Sequence, residues 1–225
     1  MADVQYGEVL QNTLRALGDG NTAPVPLARM GLPAVLSKWD LFALGGRMFN
    51  LKQTTIGTEL SGATAAASTV LTIPWVRFTV PTGYTVFMRH LNISLTAMAG
   101  TANEIALVYT NSDSYTSGGT ALTPTNWRTD SAAPASVCTS VRIGPSGGVI
   151  TEAALGTVRA LYQEGLAAAF TASFLAHTID KTFEDLVPIV GPGSVLLYLT
   201  GNTTTPAGFF SMDWAEVPTS AVIAG

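Results

Sequence analysis

Tyr84-Thr85-Val86-Phe87-Met88-Arg89-His90-Leu91-Asn92-Ile93-Ser94-Leu95-Thr96-Ala97 is the stretch on which the fold turns. Phe87, Leu91, Ile93 and Leu95 fall on one side of an extended chain, and Met88, His90, Asn92, Ser94 and Thr96 on the other. This is the two-residue period of a half-buried strand. Similar runs are Val70–Val80, Glu104–Thr110, Val137–Ile143, Val158–Gln163, Leu166–Leu175, Val195–Thr200 and Phe209–Val217. In the last, Phe210, Met212 and Trp214 share one face and Ser211 and Asp213 the other. Clusters of Gly, Pro, Asn and Ser separate these runs, and none has long helical spacing. The sequence therefore predicts an all-β fold, an antiparallel β-sandwich of the jelly-roll or immunoglobulin-like kind. The polar segment Thr110–Pro134, with Gly118-Gly119 and Asp130-Ser131-Ala132-Ala133-Pro134, reads as a loop crossing one end of it.

The first fifty-odd residues have a different texture, and two units are expected: an extended, partly helical N-terminal arm over 1–52 and the sandwich over 53–225. Val4–Leu17 suits a short helix ending near Gly18, and Gly20–Pro26 must be extended because proline fixes φ and restricts its predecessor. Pro33 suits the first turn of a second helix, Ala34–Leu44, with Gly45-Gly46 as its stop. Val35, Leu36, Trp39, Phe42 and Ala43 form a helical stripe there, followed closely by Met48, Phe49 and Leu51. Either the helix packs on its own β-domain, or the arm docks on a neighbouring subunit through Trp39, Phe42, Met48, Phe49 and Leu51.

Composition narrows the function. Only 12% of the 225 residues are charged, against roughly 25% in ordinary soluble domains, while 47% are hydrophobic. So little ionic material implies a surface partly covered by other copies or other proteins. A net charge of −4 with no basic cluster argues against nucleic acid as a partner. No run reaches the roughly 18 apolar residues of a membrane-spanning helix, and the start Met1-Ala2-Asp3-Val4-Gln5 lacks the charged and apolar regions of a secretion signal. The single cysteine, Cys138, lies in strand-like sequence and reads as a buried filler.

Catalytic signals are weak, and a non-enzymatic protein without cofactor or metal is expected. Gly144-Pro145-Ser146-Gly147-Gly148 fits the spacing G-x-S-x-G, but Val149-Ile150-Thr151 continues as strand where a nucleophile elbow needs a helix, so a hairpin turn explains it better. His90 and His177 have no HxH or HxxxH companion. Asp180, Glu184 and Asp185 around Lys181, and Asn111-Ser112-Asp113, are oxygen-rich enough for Ca²⁺ but lack EF-hand spacing, and read as solvated turns. No recognisable catalytic carboxylate pair stands out. Trp75 and Trp214 lie in strand runs and belong in a core. Trp127, in Pro124-Thr125-Asn126-Trp127-Arg128, is the aromatic expected to be exposed, and with Tyr115 and Arg128 it makes up the loop groups available for contact. The sequon matches Asn92-Ile93-Ser94 and Asn202-Thr203-Thr204 are read as chance.

Several phrases resemble virion structural proteins of bacteriophages, such as auxiliary head, vertex or spike components. They are Gln53-Thr54-Thr55-Ile56-Gly57-Thr58-Glu59-Leu60, Val80-Pro81-Thr82-Gly83, Ala99-Gly100-Thr101-Ala102-Asn103-Glu104, Ser117-Gly118-Gly119-Thr120-Ala121-Leu122-Thr123-Pro124 and Trp214-Ala215-Glu216-Val217-Pro218. The resemblance spans roughly residues 53 to 218 and contains no diagnostic motif. It implies a β-sandwich located in the virion, made in the bacterial host cytoplasm and assembled as a homo-oligomer, with a trimer favoured. It also implies contacts with other virion proteins, often made by N-terminal arms, and no catalytic residues. The alternative is a receptor- or glycan-binding head of a spike or tail, using Tyr115, Trp127 and Arg128.

Overall fold

The computed structural model describes residues 37–53, 59–64, 73–98, 103–144, 149–166, 177–201 and 205–223. Helix α1 (Lys38–Leu44) leads into β1 (Met48–Lys52), β2 (Leu60–Ser61), β3 (Ala63–Thr64), β4 (Val76–Val80), β5 (Tyr84–Ala97) and β6 (Asn103–Thr110). The short β7 (Tyr115–Ser117), β8 (Thr120–Ala121) and β9 (Thr125–Asn126) follow, then β10 (Thr139–Ile143), β11 (Thr151–Glu152) and β12 (Val158–Leu166). The chain closes with β13 (His177–Thr182), β14 (Ile189–Val190), β15 (Gly193–Gly201), β16 (Ala207–Pro218) and helix α2 (Thr219–Ile223).

The long strands form two antiparallel sheets packed face to face. The first runs β13-β5-β16-β1 and continues to β9, and the second runs β12-β6-β15-β4 and continues through β10 to β8. Consecutive long strands mostly switch sheets, and the first long strand, β1, lies beside the last, β16. This is the jelly-roll arrangement of two interlocked Greek keys. The inward residues of both sheets make one core: Phe78 of the second sheet stacks on Trp214 of the first at 4.6 Å between centroids, and Trp75 meets Phe210 edge-on at 5.4 Å.

The alternation in β5 holds from His90 onward but changes phase before it. Asp213 pairs with His90 and Trp214 with Met88, so Arg89 is an extra residue, a β-bulge. The bulge sends Val86 and Met88 into the core with Leu91, Ile93 and Leu95, and turns Phe87 to the outer face. The simple alternation expected for Phe87 and Met88 is therefore inverted, because the period of two restarts at the bulge.

The arm boundary at residue 52 is also corrected. β1 pairs along its whole length with β16, from Met48 opposite Ala215 to Lys52 opposite Ser211, so residues 48–52 are a strand inside the first sheet. The helix begins at Lys38: the Ser37 side chain accepts a hydrogen bond from the Asp40 N–H while the Asp40 carboxylate accepts one from the Ser37 N–H, a capping box. It stops at Gly45. Gly46 follows at φ +67°, where a Cβ would come within 2.8 Å of Pro134. Thr110–Pro134 is not a plain loop either, since β8 and β9 extend opposite sheets and β7 pairs with β11. The expected helix Val4–Leu17, the extended segment after it, the Ser146 turn, most of Leu166–Leu175 and Asn202 lie outside the described residues.

Candidate functional site

Of the five residues expected to reach a neighbour, four are buried in the chain itself. Phe49 and Leu51 point into the main core, with Phe49 stacked on Trp214. Phe42 and Met48 join Phe87, Ala215 and Val217 in a second cluster on the outer face of the first sheet, with Trp39 partly buried against it. The arm contact is overturned for these residues because α1 is the cover of its own sheet.

The outer face of the second sheet is covered differently. Arg77 of β4, fully buried, stands 2.6 Å through Nε from Glu152 Oε1, an ion pair not aligned as a hydrogen bond. Its Nη2 donates to Asp113 Oδ1 at 3.0 Å and to Ser194 Oγ at 2.9 Å. Ser114 Oγ donates to Glu152 Oε2 at 2.7 Å. Asp113 and Glu152 belong to the flap made by β7, β11 and their flanks, so one guanidinium on the sheet fastens the flap at two points. Burial pushes the Glu152 carboxyl up, against the Ser114 hydroxyl and the Arg77 charge, which favour the anion. Burial also acts to raise Asp113, but hydrogen bonds from the Tyr115 N–H, Arg77 and Thr79 outweigh it and hold this carboxyl below its usual range.

This network extends one expectation and corrects another. Asn111-Ser112-Asp113 is an exposed bend with a local hydrogen bond from the Tyr115 N–H to Asp113 at 3.2 Å, as expected of a solvated turn, but its carboxylate is also engaged by Arg77 and Thr79. Tyr115, expected as a loop contact, lies over Arg77 at 4.7 Å and Arg142 at 5.6 Å, and its hydroxyl donates to the Gly118 carbonyl at 2.9 Å. It is a half-buried lid on the ion pair. Arg128 is half-buried and paired with Asp130, its Nε donating to Oδ1 at 3.0 Å. Trp127 is 42% exposed.

Trp127 borders the half of the first sheet's outer face that α1 leaves open. There the odd-even order of β1, β5, β13 and β16 sets Asn50, His90, Asn92, Asp180, Ser211 and Asp213 side by side, as the pairings Asn50–Asp213–His90 and Ser211–Asn92–Asp180 require. Asp213 Oδ1 accepts from Asn50 Nδ2 at 2.6 Å and Trp127 Nε1 at 3.4 Å. His90 hydrogen-bonds Asp180 through Nε2, so Asp180 serves the strand β5 and not the expected cluster around Lys181. Among the described residues no three His, Cys, Asp or Glu side chains converge as metal ligands. Trp75 and Trp214 are core residues. Cys138 is buried beside Glu216, and burial followed by that carboxylate pushes its thiol well up, leaving it un-ionised. Glu216 tethers the 136–138 segment by accepting from the Val137 N–H and from Trp214 Nε1, both at 2.8 Å.

No protein-family model, no curated protein and no solved structure matches the chain. Sequence reasoning missed the pairing of Arg77 with Glu152 and the gathering of Asn50, His90 and Asp213. The only available signal was an arginine and an aspartate standing at alternation positions inside otherwise apolar strands.

Proposed function

We propose that this chain is a non-enzymatic structural component of a bacteriophage particle that works by self-association and by contact with neighbouring virion proteins. The observation that carries the reading is the distribution of exposed apolar side chains. Of the six large ones exposed among the described residues, Leu44, Val187, Val190 and Val222 belong to the α1 end of the first sheet. Leu44 closes α1, and Val187 follows Leu186, which packs on the α1 cluster. Val190 pairs with Thr85, whose hydroxyl bonds that of Thr219 at the start of α2. Leu44 is 59% exposed and Val190 44%. Such groups, on a chain with 12% charged residues, suit burial against another copy. They replace Phe42, Met48, Phe49 and Leu51 as the contact residues of the assembly reading, and a closed homotrimer is the favoured form. Neither a cofactor nor nucleic acid has a part in it.

Two measurements test this. Mass spectrometry of purified particles from a lysate carrying the gene should find the chain at a fixed copy number, and its absence from particles overturns the reading. Light scattering of the full chain should give a trimer or larger assembly. Leu44→Glu with Val190→Glu should shift it toward monomer while leaving the β-type circular dichroism unchanged.

A further inference from the structure

The open half of the first sheet's outer face has chemistry that assembly does not use. Its centre is Asp213, a largely buried carboxylate with no lysine or arginine paired to it among the described residues. Oδ1 is occupied by Asn50 and Trp127, but Oδ2 lies 3.8 Å from His90 Nδ1, beyond hydrogen-bond reach. A carboxylate has about four acceptor positions, so this one retains capacity for donors from outside. Asn92 and Ser94, on the same face of β5, make no side-chain hydrogen bond to described residues, and both are only half exposed. A sheet face with a desolvated acceptor and unspent amide and hydroxyl groups is a floor awaiting a polyhydroxylated partner.

Trp127 supplies the wall. Its N–H donates to the Met48 carbonyl at 3.0 Å, its Nε1 is tied to Asp213, and the Arg89 guanidinium covers one face of the ring at 4.4 Å. The backbone is thus anchored and the indole held at its nitrogen and on one face, while 42% of the residue is open to solvent, a preorganised aromatic surface. An aromatic plane beside a row of hydrogen-bonding groups matches a pyranose ring, which has an apolar C–H face and a rim of hydroxyls. Four strands at about 4.8 Å spacing span roughly 14 Å, the reach of a di- or trisaccharide. The central acceptor, Asp213, favours hydroxyl donors over anions, and charged residues are depleted from the cores of protein interfaces, which here would have to cover Asp180, Asp213, Lys52 and Arg89.

We propose that this face binds a neutral saccharide, with Trp127 stacking on one ring and Asp213, Asn92 and Ser94 hydrogen-bonding its hydroxyls. The inference is independent of the assembly reading, which concerns the other half of the same face. The test titrates the full chain with maltotriose, cellotriose, mannotriose and triacetylchitotriose, read by saturation-transfer NMR. At least one should bind saturably in the millimolar range or tighter, and Trp127→Ala should weaken it about tenfold. Asn92→Ala, which removes a side chain with no hydrogen bond to the described residues, should weaken it about fivefold and decides the matter if the tryptophan variant misfolds.

The same sugars immobilised at high density separate two sources. Equal affinity marks a site for free sugar, and tighter apparent binding marks a surface glycan engaged by several copies, and either supports the site. The proposal is overturned if none of the four saturates, if binding survives Trp127→Ala and Asn92→Ala unchanged, or if Trp127→Ala alters oligomer mass without altering sugar binding.

Discussion

The helix over the first sheet and the flap over the second both shield an outer sheet face, but different forces hold them. α1 lies on Met48, Phe87, Ala215 and Val217 through Phe42 and Trp39, and no ion pair joins it to the sheet among the described residues. The flap also covers apolar groups, with Leu155 packed on Val108, Leu196 and Tyr198. It is fastened in addition by Arg77 to Glu152 and Asp113. An apolar cover is tolerant of small shifts, because its energy follows buried area. An ionic clamp is not, since a buried guanidinium must keep both carboxylates in reach or leave charge unpaired.

The largest effect should therefore come from breaking the clamp. Arg77→Met fills the same space but leaves Glu152 buried without a cation, and should cost about 3–5 kcal/mol of unfolding free energy in urea. Adding Glu152→Gln should recover part of that loss, since the second substitution removes the stranded charge. If Arg77→Met costs less than about 1 kcal/mol, the flap is held by Leu155 and its apolar neighbours, and the two covers are alike.

A smaller effect is expected on the other side. Phe42→Ala removes the central contact of α1, stacked on Phe87 at 6.2 Å between centroids, and should cost about 2 kcal/mol, below the roughly 3–5 kcal/mol usual for buried aromatics because an exposed helix can settle into the gap. Hydrogen exchange should quicken in α1 and β1 while amides of β7 and β11 keep their protection. Faster exchange in the flap as well would mean that the covers are coupled through the core.

These two covers differ as much in legibility as in physics. Trp39, Phe42 and Ala43 reveal a helical stripe because helix periodicity is local, and Tyr84–Ala97 reveals a strand for the same reason, its bounds coinciding with β5. What β1 does was not readable: Met48, Phe49 and Leu51 look alike as arm anchors or as strand residues, and only the partner β16, far along the chain, separates the two. Arg77 and Glu152 are likewise joined solely by the crossing of the jelly roll, so neither betrays the other in sequence. The saccharide face is the extreme case, since Asn50, Asn92, Trp127 and Asp213 come from separate elements and carry no shared spacing. Trp127 alone stood out, as the aromatic that no strand would bury.

The smallest effect, and the sharpest separation of the two covers, is in pH. Glu152 has its folded pKa raised above 4.5, so its contribution to stability is fully present below 4.5 and is lost as pH rises through the raised value. Asp113 has its folded pKa lowered below 3.8, so its contribution is present above 3.8 and is lost as pH falls through the lowered value. Together the clamp's carboxylates favour the folded chain most between 3.8 and 4.5. Urea midpoints measured from about pH 3 to about pH 7 should show this when the wild type is compared with variants. Glu152→Gln should flatten the decline on the alkaline side of that window, and Asp113→Asn the decline on the acid side. The second effect is the weaker, because the Asp113 side chain is 44% exposed and partly screened by solvent. Phe42→Ala should lower the curve without changing its shape on the alkaline side of that window, since the cluster it leaves contains no titrating group and the shifted carboxyl of α1, Asp40, is held below 3.8 by its bonds from Ser37. A shape change on that side in that variant, or an unaltered shape in Glu152→Gln, would remove the distinction between an apolar cover and an ionic one.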